Sequence, residues 1–164
     1  MDLKITKKFY SIFFLIISFT LFNCTSTNQL NGLSSNSFED IYFNAVSKKL
    51  IIPTDIPSDL KKDINYWFDN HVKVNGFEGS LEINFFNYEE SVNEISDGKK
   101  IELYIEYEII IKSPSNSSSK KTFGSAKTFS EIVGVFNLND LDELLISSKK
   151  ELVIIIANKI ISLN

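Results

Sequence analysis

Between Ile101 and Ile111 the side chains alternate with a period of two. Ile101, Leu103, Ile105, Tyr107, Ile109 and Ile111 fall on one side, and Glu102, Tyr104, Glu106, Glu108 and Ile110 on the other. Successive residues of a strand point to opposite faces, so the segment predicts a β-strand with one greasy face and one mostly charged. Strands of a parallel sheet buried on both sides read instead as continuous apolar runs. The pattern therefore demands an antiparallel sheet that is covered on a single side.

The neighbouring segments supply the rest of that sheet and its cover. Leu81, Ile83 and Phe85 alternate with Glu82 and Asn84, and Phe86, Tyr88 and Val92 continue in shifted phase. A β-bulge at Phe85-Phe86 would account for the shift. Asp97-Gly98 predicts a hairpin turn into the Ile101 strand. A Pro, Ser and Asn loop from Ser113 to Lys121 precedes a third long strand, Thr122 to Phe136, in which Phe123, Phe129, Val133 and Val135 are the expected buried positions. Upstream, Phe38 to Ile52 reads as one strand, after which Pro53 and Pro57 punctuate the chain.

Two helices complete the pattern. Ser58 as N-cap, or Pro57 as first-turn proline, starts a helix running to about Val72. Leu60, Ile64, Trp67, Phe68 and His71 or Val72 form its apolar stripe, and Gly76 and Gly79 allow the turn that follows. Asn137 or Asn139 caps the last helix, with Asp142 expected in its first turn. Leu141, Leu144, Leu145, Leu152, Ile155, Ile156, Ile160 and Leu163 mark its apolar face, which Val153 and Ile154 widen. So broad a face implies burial on several sides or a partner surface. The expected fold is α+β: a two-layer sandwich with an antiparallel sheet of about four strands and two helices packed on one face, forming a single domain over 38–164.

The N-terminal end carries a different message. Lys4, Lys7 and Lys8 precede an apolar run from Phe9 to Phe22, and the run stops at the only cysteine, Cys24. Basic, apolar and processing segments in that order predict a signal peptide over 1–23, and the run is short for a membrane span. The local motif Leu21-Phe22-Asn23-Cys24 resembles the lipobox of bacterial lipoproteins. Leu21 and Cys24 match, whereas Phe22 and Asn23 stand where that family has small residues. The resemblance implies acylation of Cys24 with fatty chains such as palmitate. An uncleaved anchor helix, or ordinary cleavage between Thr25 and Asn36, are the alternatives. Residues 24–37, rich in Ser, Thr and Asn, would follow as a flexible spacer. Thr25 in place of Asp after the cysteine resembles the sorting habit that sends enterobacterial lipoproteins to the outer membrane.

Charge narrows the function. Loss of Met1 to Asn23 removes three lysines and Asp2, moving the formal charge from −4 to −6. An acidic domain without a single arginine offers no footprint for nucleic acid and no forked donor for phosphate. No second cysteine exists for an internal disulfide. His71 is the only histidine, and it reads as a packing or capping residue near a helix end. Glu89, Glu90 and Glu94 lack the spacing of a calcium loop. The row Glu102, Glu106, Glu108 reads as the wet face of the sheet. Neither a Gly-x-Ser-x-Gly elbow nor a phosphate loop occurs, so no enzyme, metal or cofactor is expected. Tyr104 and Ile110, set on a polar strand face, are the candidate partner contacts, with Trp67 a further one if exposed.

The layout as a whole resembles small Gram-negative envelope lipoproteins. It is similar to the LPS-assembly lipoprotein family that plugs the outer-membrane LPS translocon, and to the auxiliary lipoproteins of lipid-trafficking ABC transporters. The matching parts are Leu21 to Cys24, the helix with Trp67, the strands Leu81 to Val92 and Ile101 to Ile111, and the tail Leu141 to Leu163. The resemblance implies a non-enzymatic accessory of envelope assembly or transport, held to the outer membrane by its N-terminal lipid, facing the periplasm and docked on an envelope protein complex. The alternative is a binder of an apolar or lipid ligand held between sheet and helices.

Overall fold

The computed structural model describes residues 38–113 and 118–163. The expected signal peptide, Cys24 and the spacer lie outside the described residues, as does the middle of the Ser113–Lys121 loop. The elements run β1 (Ile41–Phe43), β2 (Ser47–Ile51), α1 (Ser58–His71), β3 (Val72–Val74), β4 (Ser80–Ile95), β5 (Gly98–Lys112), β6 (Ser119–Val133) and α2 (Leu138–Ile161). The fold is α+β, as the patterning requires. No helix among the described residues is long and apolar enough to cross a membrane.

The sheet is mixed, which corrects the expectation of a purely antiparallel one. Its order is β2-β4-β5-β6. β4, β5 and β6 form an antiparallel meander, but β2 lies parallel to β4, Ser47 opposite Ser80. A parallel neighbour cannot be reached through a tight hairpin, and the crossover here contains α1. The single strand expected over Phe38–Ile52 is in fact β1 and β2, which join different sheets. β1 pairs in parallel with β3 in a separate two-stranded sheet, Ile41 opposite Val72. β3 falls where the sequence predicts the helix end and the turn after it, because three residues are too few to show a period.

β5 behaves as its alternation predicts. Ile101, Leu103, Ile105, Tyr107 and Ile109 are buried in one cluster with Leu81, Ile83 and Phe85 of β4, Leu60, Ile64, Trp67 and Phe68 of α1, and Leu152, Val153, Ile156 and Ile160 of α2. The apolar face of α2 is broad because it packs against β6, β5 and α1 at once. The bulge falls between Phe86 and Glu89, one step beyond its expected place, with Asn87 at a φ of 51°. Asparagine is among the few side chains that tolerate that region. The hairpin turn likewise sits one residue early, on Ser96-Asp97, since Gly98 already pairs with Ile95 and Val133.

β6 reverses the expectation for its buried face. Phe123, Phe129, Val133 and Val135 are all exposed. Opposite the inner row of β5 stand Gly124, Ala126, Thr128 and Ser130 instead. These small residues let α2 approach the sheet and bond to it. The Thr128 hydroxyl donates to Glu151 Oε2 at 2.9 Å, and that of Ser148 donates to Ser130 Oγ at 2.8 Å. At Gly124 a Cβ would come 2.4 Å from the Tyr107 ring, so the tyrosine occupies the place of a side chain.

Polar groups fix the helix ends and the helix–helix junction. α2 begins with a capping box: Asn137 Oδ1 accepts from the Asn139 and Asp140 amides, and Asp140 accepts from the Asn137 amide. Asp140, not Asp142, thus supplies the charge in the first turn. Pro57 is the N-cap of α1, without a side-chain cap. At its other end, Lys48 Nζ donates to the carbonyls of Phe68 and Val72, both at 2.6 Å. Burial pulls the pKa of Lys48 below its ordinary value. Lys149, nearly buried, reaches Asp59 Oδ2 of α1 at 2.9 Å and Glu90 Oε2 of β4 at 3.4 Å. Partial burial works to raise the Asp59 pKa, but the hydrogen bonds from Lys149 and the Leu60 amide outweigh it and hold the carboxyl below its usual range.

The face assignment of β6 is testable by paired substitutions. Gly124→Ala, which drives a methyl into the buried Tyr107 ring, is expected to destabilise the chain by about 1–3 kcal/mol. Phe123→Ala, one residue away and facing outward, is expected to change stability by less than about 0.5 kcal/mol. Denaturant unfolding reads both, and the reverse ranking would restore the face expected from sequence.

Candidate functional site

The outer face of the sheet is built by the residues that β5 keeps away from the core. Glu102, Tyr104, Glu106, Glu108 and Ile110 stand there in a row, opposite Ser91, Glu89, Phe86, Asn84 and Glu82 of β4. On the other side lie Phe129, Lys127, Ser125, Phe123 and Lys121 of β6. Most of the charge is paired. Lys112 meets Glu82 at 3.2 Å, Lys121 meets Glu108 at 3.1 Å, and Lys100 and Lys127 both meet Glu102, at 3.1 and 3.3 Å. Bonds from Lys100 and Lys127 hold Glu102 below the usual carboxylate range. Bonds from Asn84 and Lys112 do the same for Glu82.

Glu106 differs from these three. Its Oε1 accepts from the Tyr104 hydroxyl at 2.6 Å, and its Oε2 accepts from Asn87 Nδ2 at 2.7 Å. Among the described residues no lysine lies within ion-pair distance of it. These two bonds, that from Tyr104 first, lower its pKa. The same bond raises the pKa of Tyr104. The bulge matters here, because the left-handed turn at Asn87 is what presents its amide to Glu106. Around this carboxylate lies an open recess of about 320 Å³, lined by Phe86, Tyr104, Glu106, Phe123, Gly124 and Ser125.

The three expected contact residues have different fates. Tyr104 lies half-buried in the recess. Ile110 is on the outer face but only 6% exposed. Its cross-strand neighbours are Glu82 and Lys121, whose ion pairs to Lys112 and Glu108 flank it on both sides. Trp67 is fully buried in the core and cannot meet a partner while the fold is intact. The residues that sequence reasoning missed are Phe123 and Phe129, 66% and 63% exposed. Their register held the signal: both share parity with Lys127 and Glu131, which belong to a solvated face. Lys100 Nζ lies 5.2 Å from the centre of the Phe129 ring, within cation–π range.

The remaining candidates do not converge. His71 Nδ1 pairs with Asp40 at 3.1 Å, and its ring is near those of Phe38 and Tyr66 at the end of α1. Glu89 and Glu90 point to opposite faces, and Glu94 pairs with Lys99 at 3.1 Å. Among the described residues no group of three or more histidines, cysteines or carboxylates could hold a metal ion. A wider depression of about 630 Å³ is lined by Asn44, Phe77, Ile111 and Lys120 among others.

No protein-family model and no curated protein matches the chain. Among solved structures it is similar to a minor lipoprotein from Acinetobacter baumannii, with 11% identity over 71% of this chain and 87% of that one, at a TM-score of 0.46. It is also similar to the rare lipoprotein B from Shewanella oneidensis, with 11% identity over 71% of this chain and 95% of that one, also at 0.46. Overlap at this level is loose, and the functional reading rests on the chain's own residues.

The Tyr104–Glu106 bond gives a pH prediction with a definite sign. A carboxyl depressed in the folded state adds stability above its unfolded pKa, about 4.3 for Glu, and loses that contribution as pH falls through the folded value. In Tyr104→Phe the leading cause of the depression is gone, so Glu106 is expected to titrate at a higher pH than in the parent chain. Carboxyl ¹³C NMR measures it; an unchanged Glu106 titration would show that the hydroxyl does not set its pKa.

Proposed function

We propose that the chain is a non-enzymatic lipoprotein, tethered to the outer membrane through acylated Cys24 and facing the periplasm, which docks through its outer sheet face on a complex of envelope assembly or transport. The observation that carries the docking is the exposure of Phe123 and Phe129 on a face most of whose charges are neutralised in pairs. Exposed aromatic anchors within a polar surround are the usual composition of a protein contact. The tether is supported by the order of Lys4, Lys7 and Lys8, the apolar run to Phe22, and Cys24. Multiple acyl chains would hold such a domain firmly, whereas a single chain binds marginally. The spacer would let the domain reach a partner away from the lipid surface. The alternative, a lipid held between sheet and helices, has less in its favour, since side chains of both helices and of β4 and β5 already meet there in one buried cluster.

Two measurements on cells test this reading together. The intact mass of the membrane-extracted chain is expected to show Cys24 as the first residue, carrying acyl groups. A photo-crosslinker placed at Phe129 is expected to capture an envelope protein, while one at Lys62, on the exposed side of α1, captures little. An unmodified mass with the original methionine, or equal capture from both positions, would refute the proposal.

A further inference from the structure

We infer that the recess around Glu106 is a binding site for an organic ammonium cation. This deepens the docking proposal by naming the chemistry that one spot on the same face would recognise. The first ground is charge. Glu82, Glu102 and Glu108 are each neutralised by lysine at 3.1–3.3 Å, whereas Glu106 is held by two neutral donors and keeps its negative charge. Glu89 stands directly across from Tyr104 and adds a second carboxylate beside the recess. The second ground is the wall. Phe86 is the cross-strand neighbour of Glu106, Tyr104 is next along the same face of β5, and Phe123 is its diagonal neighbour on β6. The carboxylate therefore sits among three aromatic rings.

That combination selects among ligands. Aromatic faces carry negative potential and attract weakly hydrated organic cations, ammonium heads above all. A hard metal ion needs six or more oxygen ligands, and ring carbon supplies none. An anion would meet Glu106 itself, and Lys127, which stands opposite Tyr104 on β6, is already paired with Glu102 at 3.3 Å. A volume of about 320 Å³ suits a small head group. The two hydrogen bonds fix the carboxylate in advance of binding, so little ordering is left to the ligand. The ammonium can belong to a free amine or to a lipid headgroup.

The test uses the full chain in maltoside micelles, which carry no ammonium group. Choline chloride is titrated in while the ring ¹³C resonances of Phe86, Tyr104 and Phe123 are followed, with sodium chloride at equal ionic strength as the control. Saturable shifts with choline and none with sodium are expected, with affinity at least tenfold weaker in Glu106→Gln and several-fold weaker in Phe123→Ala. Phe123→Ala keeps the carboxylate and alters only an exposed ring, so it serves if Glu106→Gln disturbs the fold. Glycerophosphocholine in place of choline separates the sources: equal binding assigns a lipid headgroup, and binding of choline alone assigns a free ammonium. Shifts that sodium reproduces, affinity that survives Glu106→Gln, or no saturable shift with either probe would overturn the inference. Because the readout is on purified chain, its failure is separate from a failure of crosslinking in cells.

Discussion

The inner row of β5 is the interaction on which the structure depends. Ile101, Leu103 and Ile105 are fully buried, and they meet β4 and both helices within one cluster. Complete burial of each such side chain contributes about 1.5–3 kcal/mol, and the row is continuous with the rest of the buried cluster. The period of the strand then dictates the opposite face. Every residue placed inward puts its neighbours outward, which is why a row of glutamates and the exposed phenylalanines of β6 share one surface.

Within this frame the polar contacts select a geometry more than they add stability. Lys149 ties α2 to α1 through Asp59 and to β4 through Glu90. A charge taken this far out of water gains back in pairing roughly what it loses in hydration, but leaving either partner out is costly. The contact therefore specifies how the two helices meet. Lys48 does the same at the far end of α1, where its ammonium bonds the Phe68 carbonyl of the last turn, which also accepts from the Val72 amide, and the Val72 carbonyl just beyond it. The inner face of β6 uses hydroxyls for this purpose, pairing Thr128 and Ser130 with Glu151 and Ser148 of α2.

Legibility in the sequence followed the length and period of each element. β5, β4 with its bulge, and both helices were readable because their apolar spacing persists over many residues. β1 and β3, of three residues each, have no period to read, and the parallel pairing of β2 is a tertiary fact that strand patterning does not encode. β6 defeats the rule that hydrophobicity marks burial. Its inner positions are small, since α2 needs the space, and its large side chains point outward. Of the expected contact residues, Tyr104 stands on the outer face as the strand pattern predicts. Ile110 also stands on the outer face, but nothing in the sequence shows that ion pairs flank it. The isolation of Glu106 among paired glutamates depends on cross-strand register, which only the structure supplies.

A sheet sealed on one side and open on the other separates the residues that fold the domain from those it exposes. The buried side fixes the domain, and the open side presents Phe123 and Phe129 without cost to the core. Hydroxyl-radical footprinting of the purified chain, read by mass spectrometry at each residue, measures this division directly. The account predicts heavy oxidation of Phe123 and Phe129 and protection of Trp67 and Tyr107. Protected phenylalanines with an oxidised Trp67 would contradict it.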